Sequence, residues 1–225
     1  MTTVDFCYKL MLYILNKNQT GGNLSPADFN RIFNMAQVSY VSYLTGSVQQ
    51  YSPGKPVARV ELGQNAVVRQ RLTPVIYGYI LNIDNTGYAP YPGDYVQTDS
   101  MWSIYGYNRI RYYDNDKWYS AYNSSIDSPT TTNAIYRLRD DGFEFAPTNL
   151  VQAKMAYVRN PPEVVWGYTV DGNNRPVYDP ATSVDPIWDF VSILEIIVRA
   201  LKMSGVNLQF PLVEQYANEI KNLGQ

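Results

Sequence analysis

Any catalysis by this chain of 225 residues would have to rest on carboxylates, because the sequence contains no histidine and a single cysteine. The missing histidine removes the commonest general base and the usual Ser–His and Cys–His nucleophile pairs. Asp140, Asp141 and Glu144 lie close together, and two carboxylates are enough for glycoside hydrolysis. Because Asp141–Gly142 is also a common turn sequence, a hairpin turn explains the same residues without chemistry.

Metal and nucleotide sites have little support in the sequence. Asp114, Asn115 and Asp116 offer three oxygen ligands, but the glycine and the closing glutamate of a calcium loop are missing, so a hairpin turn is predicted there. The sequence has no Gly-x-x-x-x-Gly-Lys-[Ser/Thr] loop and no Gly-x-Gly-x-x-Gly fingerprint. We therefore predict a protein that is not an enzyme and that has no cofactor or metal site.

Three Arg-x-Arg pairs recur in segments that are predicted to be strands. Alternate residues of a strand share a face, so neighbouring strands of this kind would give one basic sheet face. The arginines either cover a solvated face and pair with scattered carboxylates, or they line a channel or an interface with nucleic acid or an acidic partner. The pairs are Arg69 and Arg71, Arg109 and Arg111, and Arg137 and Arg139.

Tyrosine is unusually frequent, with 21 residues against 7 phenylalanines. Tyrosine is enriched where protein surfaces meet, because its ring is apolar and its hydroxyl is polar. The cluster from Tyr77 to Tyr122, which includes Trp102 and Trp118, is typical of a sheet core with an interface, and the alternative is a stacking platform for sugars or bases. The candidate interface aromatics are Tyr88, Tyr91, Tyr95 and Trp118.

Helices are predicted at both ends of the chain. The first spans 4–17, and the second begins after the cap Ser25 with Pro26 and ends at Gly46. Near the end, Asp185 and Pro186 predict the start of a helix that ends at Gly205. Its buried face is predicted to consist of Ile187, Val191, Leu194, Val198 and Leu201, with Ile197 widening the stripe. After a short link, Pro211 opens another helix, whose apolar set is Leu212, Val213, Tyr216, Ala217 and Ile220.

The middle of the chain has the composition of strands, and residues 82–96 have that of a loop. The fold class is therefore α+β, with helical hairpins at both termini around a central, mostly antiparallel, Tyr-rich β region. The predicted organisation is 1–46, 47–184 and 185–225, combined in one composite domain. Strands are predicted at 57–62, within 67–82, and at 101–107, 109–113, 118–122, 134–138, 143–145, 156–159, 164–170 and 177–178.

Composition excludes several classes of protein. A net charge of −2 with 17% charged residues argues against general attraction to nucleic acid. No stretch reaches the roughly 20 apolar residues of a membrane span. The N-terminus lacks the pattern of a signal peptide, and Cys7 falls in the apolar pattern of the first helix, so we expect intracellular folding with a buried thiol.

Short phrases in the last third of the chain resemble structural proteins of tailed bacteriophages. They are Tyr157–Val158–Arg159–Asn160–Pro161–Pro162, Val165–Trp166–Gly167–Tyr168, and the run from Val177 to Asp185, followed by Gly205–Val206–Asn207–Leu208. They are most similar to virion ring or connector proteins of the crAss-like phages. The resemblance covers mainly residues 150–225 and contains no catalytic motif.

The resemblance implies a homo-oligomeric ring, twelve-fold to match a portal, in the head-to-tail passage of a virion assembled in the bacterial host cytoplasm. Its partners would be copies of itself, the portal, adjacent ring or tail proteins, and packaged DNA that passes without sequence readout. Two alternatives remain open. One is a carbohydrate-binding tail or fibre module that uses Trp118, and the other is a phage glycan hydrolase that uses Asp141 or Glu144.

Overall fold

The computed structural model describes residues 3–17, 24–46, 66–105 and 108–204. The chain forms two compact units: a helical unit, Met1–Gln49 with Pro162–Gln225, and a sheet unit, Gln50–Pro161. In chain order the elements are α1 (Val4–Lys17), α2 (Pro26–Leu44), α3 (Ala66–Leu72), a 3-10 turn (Thr73–Val75), β1 (Ile76–Asn82), β2 (Tyr88–Pro90), β3 (Tyr95–Ser103), β4 (Arg111–Tyr112), α4 (Asn115–Tyr122), β5 (Ile135–Leu138), β6 (Gly142–Ala146), β7 (Gln152–Arg159), β8 (Tyr168–Val170), β9 (Pro176–Tyr178) and α5 (Phe190–Met203).

The boundaries predicted for the first two helices are confirmed. The Ser25 hydroxyl accepts a hydrogen bond from the amide of Asp28 at 3.1 Å, and Pro26 takes the first helical position of α2. Just after α2, Gly46 adopts φ 71°, a left-handed conformation that glycine tolerates at a helix end.

The start of α5 differs from the prediction. The helix begins at Phe190, after Asp189 in an extended conformation, and not at Pro186. Asp185 does cap a helix, but the helix is α1, because its carboxylate accepts a hydrogen bond from the amide of Val4 at 2.7 Å. A cap signal in the sequence thus serves an element 181 residues away.

The predicted buried face of α5 is confirmed for Ile197 and Leu201 but wrong for three other residues. Val191, Leu194 and Val198 are 50%, 38% and 43% exposed. Aliphatic residues surround nearly the whole helix, so the spacing fits two faces, and packing against α1 and α2 selects one of them. The face that is buried consists of Ile193, Ile196, Ile197, Ala200 and Leu201.

Two asparagine side chains of α2 hydrogen-bond the backbone of the extended segment 164–166, as a neighbouring strand would. The Asn34 amide accepts from the Val164 N–H at 2.8 Å and donates to the Val164 carbonyl at 2.9 Å. One helical turn earlier, Asn30 accepts from the Trp166 N–H at 2.7 Å and donates to its carbonyl at 3.4 Å. Residues i and i+4 of a helix thereby satisfy alternate residues of an extended segment.

The sheet unit contains two sheets with a shared aromatic core. The first has the order β1–β7–β3 and is antiparallel, and the second has the order β2–β6–β5–β4, in which only the β4–β5 pair is parallel. Side chains from both sheets meet in one cluster. It includes Leu81, Met101, Met155 and Tyr157 from the first sheet, and Ala89, Tyr136, Phe143 and Phe145 from the second.

Three segments of the sheet unit differ from the prediction. Residues 66–72 form α3 and not a strand, which suits the helix-forming run Arg69–Gln70–Arg71–Leu72. Residues 115–122 form α4 and not a hairpin turn and strand, because Trp118, Ala121 and Tyr122 recur at helical spacing. The predicted loop 82–96 contains β2 and the start of β3, and its turn has Gly87 at φ 85°.

The predicted α+β fold class is confirmed, with helices at both ends of the chain and mostly antiparallel sheets between them. The predicted strands at 134–138, 143–145, 156–159 and 177–178 coincide with β5, β6, the end of β7 and β9. The predicted strand at 57–62 and the helix from Pro211 lie outside the described residues.

Candidate functional site

Two of the predicted arginine pairs contribute to one face of the second sheet. The parallel register aligns Arg111 on β4 with Ile135 on β5, so Arg111 and Arg137 lie on the same face. Arg137 donates to the Glu144 carboxylate from Nη2 at 2.8 Å and from Nε at 3.1 Å, and Arg139 reaches the same oxygen at 3.4 Å. One glutamate therefore neutralises part of the charge of two arginines.

Helix α4 covers this face. The Arg137 guanidinium lies 5.0 Å from the centroid of the Trp118 ring and 5.5 Å from that of Tyr119, which are cation–π distances. Trp118 itself is 2% exposed and packs on Ile135 and Ala146. The ring that the sequence analysis places at an interface is thus buried within the sheet unit.

Arg111 is held in a second charged cluster. Its Nη2 donates to Asp127 at 2.7 Å and to the Asn133 side chain at 2.9 Å. The hydrogen bond with Arg111 lowers the pKa of Asp127, and the same bond raises the pKa of Arg111. Arg109, in contrast, makes no ion pair with a described residue.

The third pair, Arg69 and Arg71, is separate from this face. Both residues lie on α3, so the prediction that they share a strand face is wrong. Two helical residues at this spacing point to different sides of the helix. Arg69 donates to Asp99 at 2.9 Å, and the Asp99 side chain is 7% exposed.

Two shallow grooves lie beside the arginines. One, of about 500 Å³, is lined by Arg109 and Asp99, and the other, of about 520 Å³, is lined by Asp127 and Ser124; both also contact Arg111, Tyr113 and Lys117. Both grooves are lined by cations and carboxylates, an arrangement suited to contact with a polar surface of mixed charge.

The carboxylates that the sequence offers for catalysis or metal binding lie at a helix start and in a turn. Asp114 precedes α4 and accepts a hydrogen bond from the Tyr112 hydroxyl at 2.6 Å. The predicted turn at Asp140–Asp141–Gly142 is confirmed, with the Arg139 amide donating to the Gly142 carbonyl at 2.8 Å. Among the described residues, no group of three or more acidic, Cys or His side chains is placed to hold a metal ion.

The three candidate interface tyrosines support the edge of the second sheet. The rings of Tyr91 and Tyr95 stack with centroids 4.6 Å apart, and both contact Phe143 edge-on. The Tyr91 hydroxyl donates to the Arg139 carbonyl at 2.7 Å, and the Tyr88 hydroxyl donates to the Asp141 carbonyl at 3.1 Å. Burial raises the pKa of Tyr91 to about 12. The hydroxyls of Tyr88 and Tyr91 thus fix the β5–β6 turn, whereas the Tyr95 hydroxyl is hydrogen-bonded to Thr98.

Strand β1 lies within the predicted strand region 67–82, but its exposed apolar residues are not among the predicted interface aromatics. Among the described residues, β1 is paired on one side only, by β7. Tyr77, Tyr79 and Ile80 are 48%, 42% and 54% exposed, and the guanidinium of Arg159 lies 5.3 Å from the centroid of the Tyr77 ring. The signal was the run Ile-Tyr-Gly-Tyr-Ile-Leu-Asn, which has no charged residue and no proline.

Comparison of the sequence with protein-family models and with curated proteins finds no match. None of the helices in the described part of the chain combines the length and the apolar character that crossing a membrane requires.

Proposed function

We propose that this chain is a non-catalytic structural protein of a tailed-phage virion. Copies of it form a closed ring in the head-to-tail passage, below the portal. The proposal rests on the phrases within residues 157–208 that resemble phage connector proteins, and on the exposed edge of β1. The β1 edge is the structural observation that carries it.

An edge strand presents a row of unpaired N–H and C=O groups to any other chain. Proteins usually protect such edges with charged residues or proline, and β1 has neither. Its exposed Tyr77, Tyr79 and Ile80 add apolar area of the kind that is found in the centre of an interface. A neighbouring copy that covers this edge would pair its free backbone groups and bury these apolar side chains.

A ring requires heterologous contacts, in which one patch meets a different patch on the next copy. We assign the β1 edge to one side of this contact. The portal and the adjacent ring or tail proteins would bind the two faces of the ring, and DNA would pass through it without base readout. Assembly would take place in the bacterial host cytoplasm.

The β1 contact is tested by sedimentation velocity of the full chain and of Ile80→Lys. We expect the unsubstituted chain to form one discrete oligomer, and Ile80→Lys to shift it to monomer at the same concentration, because a charge would enter the covered edge. Val151→Lys is the control, since Val151 is 57% exposed and lies outside β1. An Ile80→Lys chain that assembles like the unsubstituted one would remove β1 from the interface.

A further inference from the structure

Helix α5 has a second apolar face, which is not buried in the core of the helical unit. Phe190, Val191, Leu194 and Val198 are 53%, 50%, 38% and 43% exposed. Phe6 of α1, which is 41% exposed, extends this surface, because its ring lies 6.2 Å from that of Phe190. We refer to these five side chains as the outer α5 face.

The outer α5 face has the form of a helix-packing surface. Its four members on α5 lie at steps of one, three and four residues, so they make a continuous stripe along the first nine residues of the helix. Contiguous apolar surface of this kind on a protein usually marks a place where something binds. A stripe with this spacing fits the ridges of a second helix that runs along it.

The sequence supplies such a helix directly after α5. Residues 205–225 follow Ser204, and Pro211 predicts a helix start within them. Its apolar set also recurs at steps of one, three and four residues. The set consists of Leu212, Val213, Tyr216, Ala217 and Ile220.

We infer that residues 211–220 dock on the outer α5 face of their own chain as an antiparallel helix. The connection 205–210 is short, so it holds the segment near the face at high effective concentration. Short links of this length normally join antiparallel neighbours.

The charged residues beside the two apolar sets are complementary in an antiparallel arrangement. Lys202 lies at the end of α5 next to the connection, and Glu195 lies seven residues earlier. In the segment, Glu214 lies next to the connection and Lys221 lies seven residues later. In an antiparallel pair, Lys202 therefore faces the region of Glu214, and Glu195 faces the region of Lys221, so opposite charges coincide.

Disulfide trapping in the full chain tests the docking. Two pairs are designed: Val198→Cys with Tyr216→Cys, and Leu194→Cys with Ile220→Cys. A step of four residues along α5 matches a step of four in the reverse direction, so both pairs report the same register. Cys7 does not compete, because it is buried and burial raises the pKa of its thiol to about 12.

The control pair is Val198→Cys with Asn218→Cys, since Asn218 lies on the opposite side of the predicted helix from Tyr216. We expect both designed pairs to oxidise at least about tenfold faster than the control pair and to give a cross-linked monomer on a non-reducing gel. Either designed pair oxidising at the control rate would overturn the inference. A cross-linked dimer would overturn it too, because the occupant would then be a second copy.

Discussion

Glu144 is the carboxylate on which two arginines of the sheet unit converge. Its side chain is 23% exposed, and that of Arg137 is 17% exposed, so their ion pair is screened less than a surface pair. Arg137 is further fixed by the rings of Trp118 and Tyr119. Removing the Glu144 charge would leave a partly buried guanidinium without its main acceptor.

We expect Glu144→Gln to lower the free energy of unfolding by about 1.5–3 kcal/mol, the range for hydrogen bonds to charged groups. Urea unfolding followed by tryptophan fluorescence measures this change. Glu163→Gln, at an exposed position, is the matched control and should stay within about 0.5 kcal/mol. Equal stabilities of the two variants would show that the arginine pair does not depend on Glu144.

Tyr136 makes the sheet unit sensitive to alkaline pH. Burial disfavours the phenolate and raises the pKa of Tyr136 to about 12, whereas tyrosine in an unfolded chain titrates near 10. Between about pH 10 and pH 12 the unfolded chain loses the proton that the folded chain keeps. The corresponding stability is complete below about pH 10 and is lost as the pH rises towards 12.

Tyr136→Phe should therefore show a shallower fall in unfolding free energy above about pH 10 than the unsubstituted chain. Part of the fall should persist, because burial also raises the pKa of Tyr91 and Tyr157 to about 12. Urea titrations at a series of pH values measure the slope, with Tyr13→Phe, at a 64% exposed position, as the control. A Tyr136→Phe slope as steep as that of the control would contradict this account.

At the scale of elements, the pairing of α2 with the extended segment 164–166 depends on side-chain amides. Asn34 satisfies both backbone groups of Val164 and also accepts from the Gln37 amide at 2.8 Å. Gln37 is 1% exposed and in turn accepts from the Trp188 indole at 2.8 Å. The four residues form one polar network, in which each member is satisfied by the others.

Asn34→Ala leaves the Val164 amide and carbonyl without partners, so we expect a loss of about 2–3 kcal/mol in unfolding free energy. Amide exchange at Val164 should accelerate together with this loss. The neighbouring Met35→Ala, at a 57% exposed position of the same helix, should change stability by less than about 0.5 kcal/mol. Unchanged amide exchange at Val164 in Asn34→Ala would show that the Asn34 side chain does not hold this segment.

Local cap signals in the sequence predicted the bounds of α2 but not the start of α5, because Asp185 caps α1 instead. Ser25, Pro26 and Gly46 place α2 correctly, because capping depends on residues within one turn. Helix α4 was missed because its aromatic residues have a high strand propensity. The packing of Trp118 on Ile135 and Ala146 favours a helix there instead. The core face of α5 was predicted only in part, with Ile197 and Leu201 correct, because its aliphatic residues fit either face and only tertiary contacts select one.

The candidate site was predictable in part. The arginines of β4 and β5 do share a sheet face, as the alternation rule indicates. Their acceptors, Asp127 and Glu144, could not be paired with them from spacing, because the ion pairs depend on strand register and loop position. Trp118 looks like an interface residue by type, but its burial is a property of the assembled sheet and helix.

At the scale of the whole molecule, the chain leaves the helical unit, builds the sheet unit and returns. Residues 1–49 and 162–225 meet across 112 intervening residues, 50–161, through contacts such as that of Asp185 with Val4. The sheet unit carries the β1 edge that we assign to the ring contact. The proposed interface therefore lies in the inserted unit.

Electron microscopy of the expressed full chain, alone and mixed with the portal protein of the same genome, tests the central claim most directly. The account predicts closed rings of uniform copy number that stack on the portal, and it predicts that Ile80→Lys abolishes them while Val151→Lys does not. A monodisperse monomer that joins no portal under either condition would contradict the ring assignment.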